Sequence, residues 1–135
     1  RLGAQGQKIR VAGANEVKGQ NIEWVGYVDG AKKAELMGKA KALLSPTLYL
    51  EPFGGVVAEA ALCGTPALTT NWGCYVETVE HGKTGFRANN LTELSGFIEK
   101  LETLDPKYIR ERAVSLWSTE VIGKKYHEYF QNLIK

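Results

Sequence analysis

Apolar and polar positions change period several times along the chain, and each change marks an element. Residues 8–13, "KIRVAG", form a short apolar run closed by a glycine, which predicts a strand and a turn. Residues 21–28, "NIEWVGYV", alternate and are rich in β-branched and aromatic side chains, so they predict a second strand. The period then becomes helical over 30–42, with Ala34, Met37 and Ala40 or Lys41 on one face and Asp29 or Gly30 at the start. Residues 42–46, "ALLSP", predict a short strand stopped by Pro46. A loop over 47–54 leads into 55–63, a helix apolar nearly all round and therefore expected to be buried. Gly64 is a fitting helix stop, and Pro66 stands where a helix cannot continue. Strands are predicted over 66–70 and 84–88, flanking a short helix over 74–82 closed by Gly82. Three helical stretches follow: 91–101 with Thr92 as N-cap, 106–117 opened by Asp105 and Pro106, and 119–134.

Strands alternating with helices predict an α/β fold, a Rossmann-like parallel sheet with helices on both faces. The length of 135 residues fits a single domain over 1–135. Hydrophobic content of 44% argues against global disorder. The formal net charge of +2, with Lys and Arg scattered, gives no electrostatic case for nucleic acid or an anionic membrane. No apolar run approaches the length of a membrane span. Cys63 and Cys74 have neither CxxC spacing nor clustered histidines, and are expected to be reduced, buried thiols of a cytoplasmic protein. The opening "RLGAQGQKIR" reads as neither signal nor transit peptide, and without an initiator Met it suggests a fragment or a trimmed chain.

One feature of the pattern points to chemistry. Glu59 stands among Val56, Val57, Ala58, Ala60, Ala61 and Leu62, where an unpaired charge is costly. Glu51 precedes it in the loop that follows the third predicted strand, and such loops form the ligand rim of a parallel sheet. Gly54 and Gly55 open the helix, so a ligand can approach the backbone and meet free N–H groups suited to a phosphate. Glu59 lies about one turn further in, and its side chain leans back toward the helix start. There it either accepts hydrogen bonds from a diol such as a ribose or lies on a solvated helix face. Glu51 taken alone reads as a plain loop charge.

Together the motifs are more specific. Ser45-Pro46, Glu51-Pro52-Phe53-Gly54, Glu59-Ala60 and Cys63-Gly64-Thr65-Pro66 resemble the Glu-x7-Glu signature of retaining glycosyltransferases of GT-B architecture, family 4. The similarity extends through "NWGCYVETVEHGKTGF" to residue 86, back to the first two strands and forward to the aromatic tail. The resemblance implies the C-terminal, donor-binding domain of such an enzyme. It assigns Glu51 to hydroxyls of the transferred sugar as the catalytic contact. The backbone of Phe53, Gly54 and Gly55 meets sugar and diphosphate, Val56 and Val57 line the site, and Glu59 grips the ribose. Gly26, Tyr27 and Val28, after the second strand, are where the base is expected. The expected partner is a nucleotide-diphosphate sugar. No cofactor is implied, and no metal, because no Asp-x-Asp motif is present.

The family's paired glycines read Gly73-Cys74 here, and its usual proline is Val76. Lys8 and Arg10 do not match the Arg and Lys that neutralise the diphosphate in relatives. The chain is thus expected to lack its first strand and helix and the N-terminal acceptor domain, and to be inactive alone. The alternatives are a stand-alone nucleotide or nucleotide-sugar-binding module, a decayed structural domain, and a sugar epimerase of the same architecture. Tyr126, Tyr129, Phe130, Leu133 and Ile134 recur at helical spacing. That stripe predicts either docking onto its own domain or a weak homodimer.

Overall fold

The computed structural model describes residues 6–134. The reading of the opening segment rests partly on residues 1–5, which lie outside the described residues. Parallel strands flanked by helices are present as expected, but the described strands form two sheets, not one. They belong to two units, a smaller one ending at Leu36 and a larger one beginning at Met37.

In the smaller unit, β1 (Ile9–Ala12) pairs in parallel with β2 (Ile22–Gly26). Arg10 lies opposite Glu23, whose carboxylate takes Lys8 Nζ at 2.8 Å and Arg10 Nε at 3.1 Å. The register slips between Val11 and Ala12, and Trp24 Nε1 donates to Gly13 O at 3.1 Å beside this irregularity. The helix α1 (Gly30–Gly38) begins after this sheet and ends four residues before the predicted Ala42. Ala40 N bonds back to Met37 O, a tight turn that frees Leu43 N to pair with Pro66 O.

In the larger unit, β3 (Leu43–Ser45), β4 (Ala67–Thr70) and β5 (Gly85–Ala88) are parallel and adjacent in that order. Leu43, Ala67 and Gly85 share one row, and Leu44, Leu68 and Phe86 the next, so the two rows point to opposite faces. On the Ala67 face, Val57 of α2 (Gly55–Leu62) packs with Cys74, Tyr75 and Val79 around α3 (Tyr75–Thr78), and Leu43 borders the cluster. On the Phe86 face, Phe97 stacks on Phe86 at 4.8 Å, and His81 meets both rings edge-on. Helices therefore cover both faces of this sheet. All four residues of β4 are buried, as a central parallel strand requires.

The predicted helix over 91–101 is divided. α4 (Leu91–Gly96) gives way to a 3₁₀ turn at Glu99–Thr103, which turns Leu94, Ile98 and Leu101 inward. Gly96 at the junction adds little helix stability. The N-cap is Asn90, not Thr92: its Oδ1 accepts from Glu93 N at 2.9 Å, and Glu93 Oε2 accepts from Asn89 N. α3 is shorter than predicted because Val79 is extended at φ −106°, ψ 110°. α5 (Pro106–Trp117) and α6 (Thr119–Leu133) lie where the sequence places them. Asp105 caps α5 through Lys107 N at 2.9 Å. α5 packs on α2, with Ile109 and Ala113 fully buried and Arg110 Nη1 donating to Leu62 O. Cys74 is buried as expected, whereas Cys63 is only half-buried.

Glu80 ties α5 to the sheet. Its carboxylate takes Lys83 Nζ at 2.7 Å, Tyr108 OH at 2.9 Å and Arg112 Nε at 3.2 Å. The Lys83 ammonium, then the Tyr108 phenol, hold its pKa below the ordinary 4.5. A depressed carboxyl contributes stability that is complete above the unfolded value and lost as pH falls through the folded one. Glu80→Gln is therefore expected to lower the urea midpoint at pH 7. The difference from wild type should shrink below pH 4.5. Parallel urea titrations at pH 7 and pH 3 check this, and an equal deficit at both would remove the carboxylate's charge from the account.

Candidate functional site

The loop of residues 47–54 leaves the carboxyl end of β3 and runs into α2, so it lies on the rim where parallel sheets bind ligands. Its last residue, Gly54, caps α2 in the left-handed region at φ 70°, ψ 51°. A Cβ there would lie 3.0 Å from Tyr75 Cε1 and 3.1 Å from Cys74 Sγ, so both backbone and space call for glycine. Gly54 O accepts from Val57 N at 2.8 Å, which starts the helix.

Glu51 folds back over that start. Gly54 N donates to its Oε1 at 3.2 Å, and Tyr49 OH donates to its Oε2 at 2.7 Å. The Tyr49 phenol, helped by the amides of Gly54 and Phe53, holds the Glu51 carboxyl below the ordinary carboxylate range against a smaller effect of burial. The same contact pushes the Tyr49 phenol up. Glu51 is thus an anion at neutral pH, set at the positive end of a helix.

The Glu51 backbone is fixed as well. Its carbonyl accepts from Cys74 N at 2.9 Å in the turn that follows β4. Gly73, at φ 61°, lies so close that a Cβ would stand 2.9 Å from both Glu51 N and Glu51 O. Ser45 Oγ and Tyr75 OH, hydrogen-bonded at 2.7 Å, link the same two rims one layer deeper.

The expectation that α2 is buried all round needs correction. Val57, Ala58, Ala60 and Ala61 are buried, but Gly55 and Val56 are exposed and Glu59 is half-buried. Gly55 and Val56 stand four and three residues before Glu59, so the three share an open stripe that starts at the helix N-terminus. Glu59 therefore does not sit in the core. Phe53 is 52% exposed at the loop tip. With Trp117, Ile122, Lys125, Tyr126 and Tyr129 it lines an open groove of about 680 Å³ along α6. The apolar stripe of α6 remains exposed, with Phe130 stacked on Tyr126 and edge-on to Tyr129.

Gly26, Tyr27 and Val28 belong to the smaller unit. Gly26 ends β2 at φ 74°, and its carbonyl accepts from Gly13 N at 3.0 Å. Tyr27 is 78% exposed in the turn beyond, and Val28 is half-buried. These three occupy the carboxyl-end rim of their own sheet. Among the described residues no group of three or more His, Cys, Asp or Glu could hold a metal ion. Among the same residues no helix is long and apolar enough to cross a membrane.

Sequence reasoning missed Tyr49 and the support given by Gly73 and Cys74. Tyr49 stands two positions before Glu51, but no sequence rule says that a loop will fold so that this pair meets. Gly73 and Cys74 form a motif in sequence, while their grip on Glu51 depends on the adjacency of β3 and β4.

The profile of the family described as glycosyl transferases group 1 matches residues 6–113. Among curated proteins, the glycogen synthase of Mycobacterium tuberculosis (strain ATCC 25618 / H37Rv) is 44% identical over 62 residues, 46% of this chain and 15% of that protein. A sucrose synthase of Solanum tuberosum is 35% identical over 91 residues, 63% of this chain and 11% of that protein. The chain thus spans less than a fifth of the length of these two relatives. Among solved structures it is similar to AviGT4, a glycosyltransferase involved in avilamycin A biosynthesis, with a TM-score of 0.79 and 26% identity. That likeness covers 98% of this chain and 45% of that one. Anabaena HepE in complex with UDP-glucose shares the fold, with a TM-score of 0.73 and 24% identity over 83% of this chain and 32% of that one.

Proposed function

Because the chain belongs to the glycosyl transferases group 1 family, we propose that it is the donor-binding part of a retaining, metal-independent glycosyltransferase of GT-B architecture. Its ligand is a nucleotide-diphosphate sugar. The observation that carries the reading is the Glu51 carboxylate, held as an anion over the start of α2 by Tyr49 and Gly54. An anion fixed at a ligand rim is a ready acceptor for sugar hydroxyls. Gly55 and Val56, at the exposed first turn of α2, offer backbone N–H groups to the diphosphate. Glu59, on the same open stripe, accepts from the ribose diol. The UDP-glucose complex of HepE supports a uridine nucleotide as the first probe.

The chemistry asked of these residues is positioning and charge placement. Glu51 orients the transferred sugar, and the α2 amides stabilise charge on the leaving diphosphate. Lys8 and Arg10 both pair with Glu23. Transfer to an acceptor is assigned to this domain acting with an acceptor-binding domain, in the cytoplasm.

Calorimetric titration with a panel of nucleotide-diphosphate sugars tests the reading. Binding of at least one, with UDP-glucose as the first tried, is expected. Glu59→Gln keeps the side chain's size but removes a charged acceptor, and is expected to weaken that binding about tenfold. Unchanged affinity would return Glu59 to an ordinary helix surface.

A further inference from the structure

We propose that Tyr49 is a positioning residue for the transferred sugar, acting through Glu51. The inference rests on the donor-site reading and deepens it by naming what sets the sugar contact. Glu51 leaves the sheet on a loop, and a free glutamate on a loop samples several rotamers. Here its peptide is fixed by Cys74 N at 2.9 Å, and one carboxylate oxygen by Gly54 N at 3.2 Å. The second oxygen has Tyr49 OH at 2.7 Å, the shortest of the three contacts. A carboxylate oxygen has lone pairs for a further donor after accepting one bond. The phenol therefore orients the acceptor without using it up, and sugar hydroxyls meet an oxygen already aimed. Tyr49 itself is 60% exposed, so its ring carries little of the core and can be altered without unfolding the domain.

Tyr49→Phe removes the hydroxyl and keeps the ring. The sugar is the part of the donor that Glu51 touches, so the variant is expected to bind UDP-glucose about tenfold more weakly and UDP within about twofold of wild type. Calorimetry with both probes is run on wild type, Tyr49→Phe, Glu51→Gln and the double variant. If Tyr49 acts through Glu51, its substitution has little further effect in the Glu51→Gln background. A ¹³C titration of the Glu51 carboxyl adds a readout independent of ligand, and its midpoint is expected to rise in Tyr49→Phe. Additive losses in the double variant, or a wild-type preference for UDP-glucose that Tyr49→Phe leaves intact, overturn the proposal. If wild type binds neither probe, the donor-site reading falls, and the positioning of Glu51 is then decided by the titration: an unmoved midpoint overturns it.

Discussion

Gly85→Ala is expected to destabilise the larger unit by about 3 kcal/mol or more, a large share of a small domain's stability. A Cβ at Gly85 would lie 2.1 Å from Ala67 O, 2.9 Å from Ala67 N and 3.0 Å from Ala67 C. All three atoms are backbone of the neighbouring strand, so no flexible side chain can swing away. Relief requires β4 and β5 to separate at their first paired row. β4 is also paired with β3 through Ala67 and Leu43 and is buried along its whole length, so it has nowhere to move. Gly96→Ala is the control. Nothing lies within 4 Å of its added Cβ, and it stands in the last turn of α4. The same change there is expected to be neutral or to stabilise by up to about 1 kcal/mol. Urea denaturation of the two variants beside wild type gives both numbers. A Gly85→Ala protein within about 1 kcal/mol of wild type would overturn the Ala67–Gly85 pairing.

How far the sequence could be read follows from how local each determinant is. α5 was legible because its start signal, Asp105 followed by Pro106, is local to the helix that it opens. α6 was legible from the helical spacing of Tyr126, Tyr129, Phe130 and Leu133, and the structure adds Ser118 as its cap through Val121 N. The ends of α1 and α4 were not. The stop at Gly38 depends on β3 pairing with β4, and the break at Gly96 on the inward turn of Ile98 and Leu101, both set by tertiary packing. Asn90 and Thr92 are both competent caps by type. The choice fell to Asn90 because the Glu93 carboxylate reaches back to Asn89, closing the start two residues earlier. The division into two sheets left no mark in the pattern, since a short strand's sequence does not say which neighbour it pairs with. At the site, Glu51, Gly54 and Glu59 were visible through spacing and type. The open stripe on α2 was not, because an alanine-rich helix looks the same whether one side is covered or bare. Tyr49 was invisible as a support because no sequence rule folds its loop so that it meets Glu51 two residues on, and Gly73 because its contact joins segments that only the folded sheet brings together.

Gly73→Ala is expected to damage the site more than the fold, and Gly82 shows how to separate the two costs. Both glycines are left-handed, Gly73 at φ 61° and Gly82 at φ 80°. An alanine at either position therefore bears the conformational cost of that region, about 1–2 kcal/mol. At Gly82 the added Cβ meets nothing within 4 Å, so that cost is the whole effect. At Gly73 it would lie 2.9 Å from Glu51 N and from Glu51 O, and 3.5 Å from Leu50 C. The Glu51 peptide must then move away, and the bond from Cys74 N to Glu51 O goes with it. We expect Gly73→Ala to cost about 1–2 kcal/mol more stability than Gly82→Ala. The larger effect falls on binding. Displacing the Glu51 backbone carries its carboxylate off the line set by Tyr49 and Gly54, and small misplacements of a positioning group are costly. UDP-glucose affinity is expected to fall by about a hundredfold in Gly73→Ala, against no more than about twofold in Gly82→Ala. Denaturation and calorimetry on the same two preparations check both halves. Equal losses of affinity would show that Gly73 acts through general destabilisation, and would detach the β4 turn from the setting of Glu51.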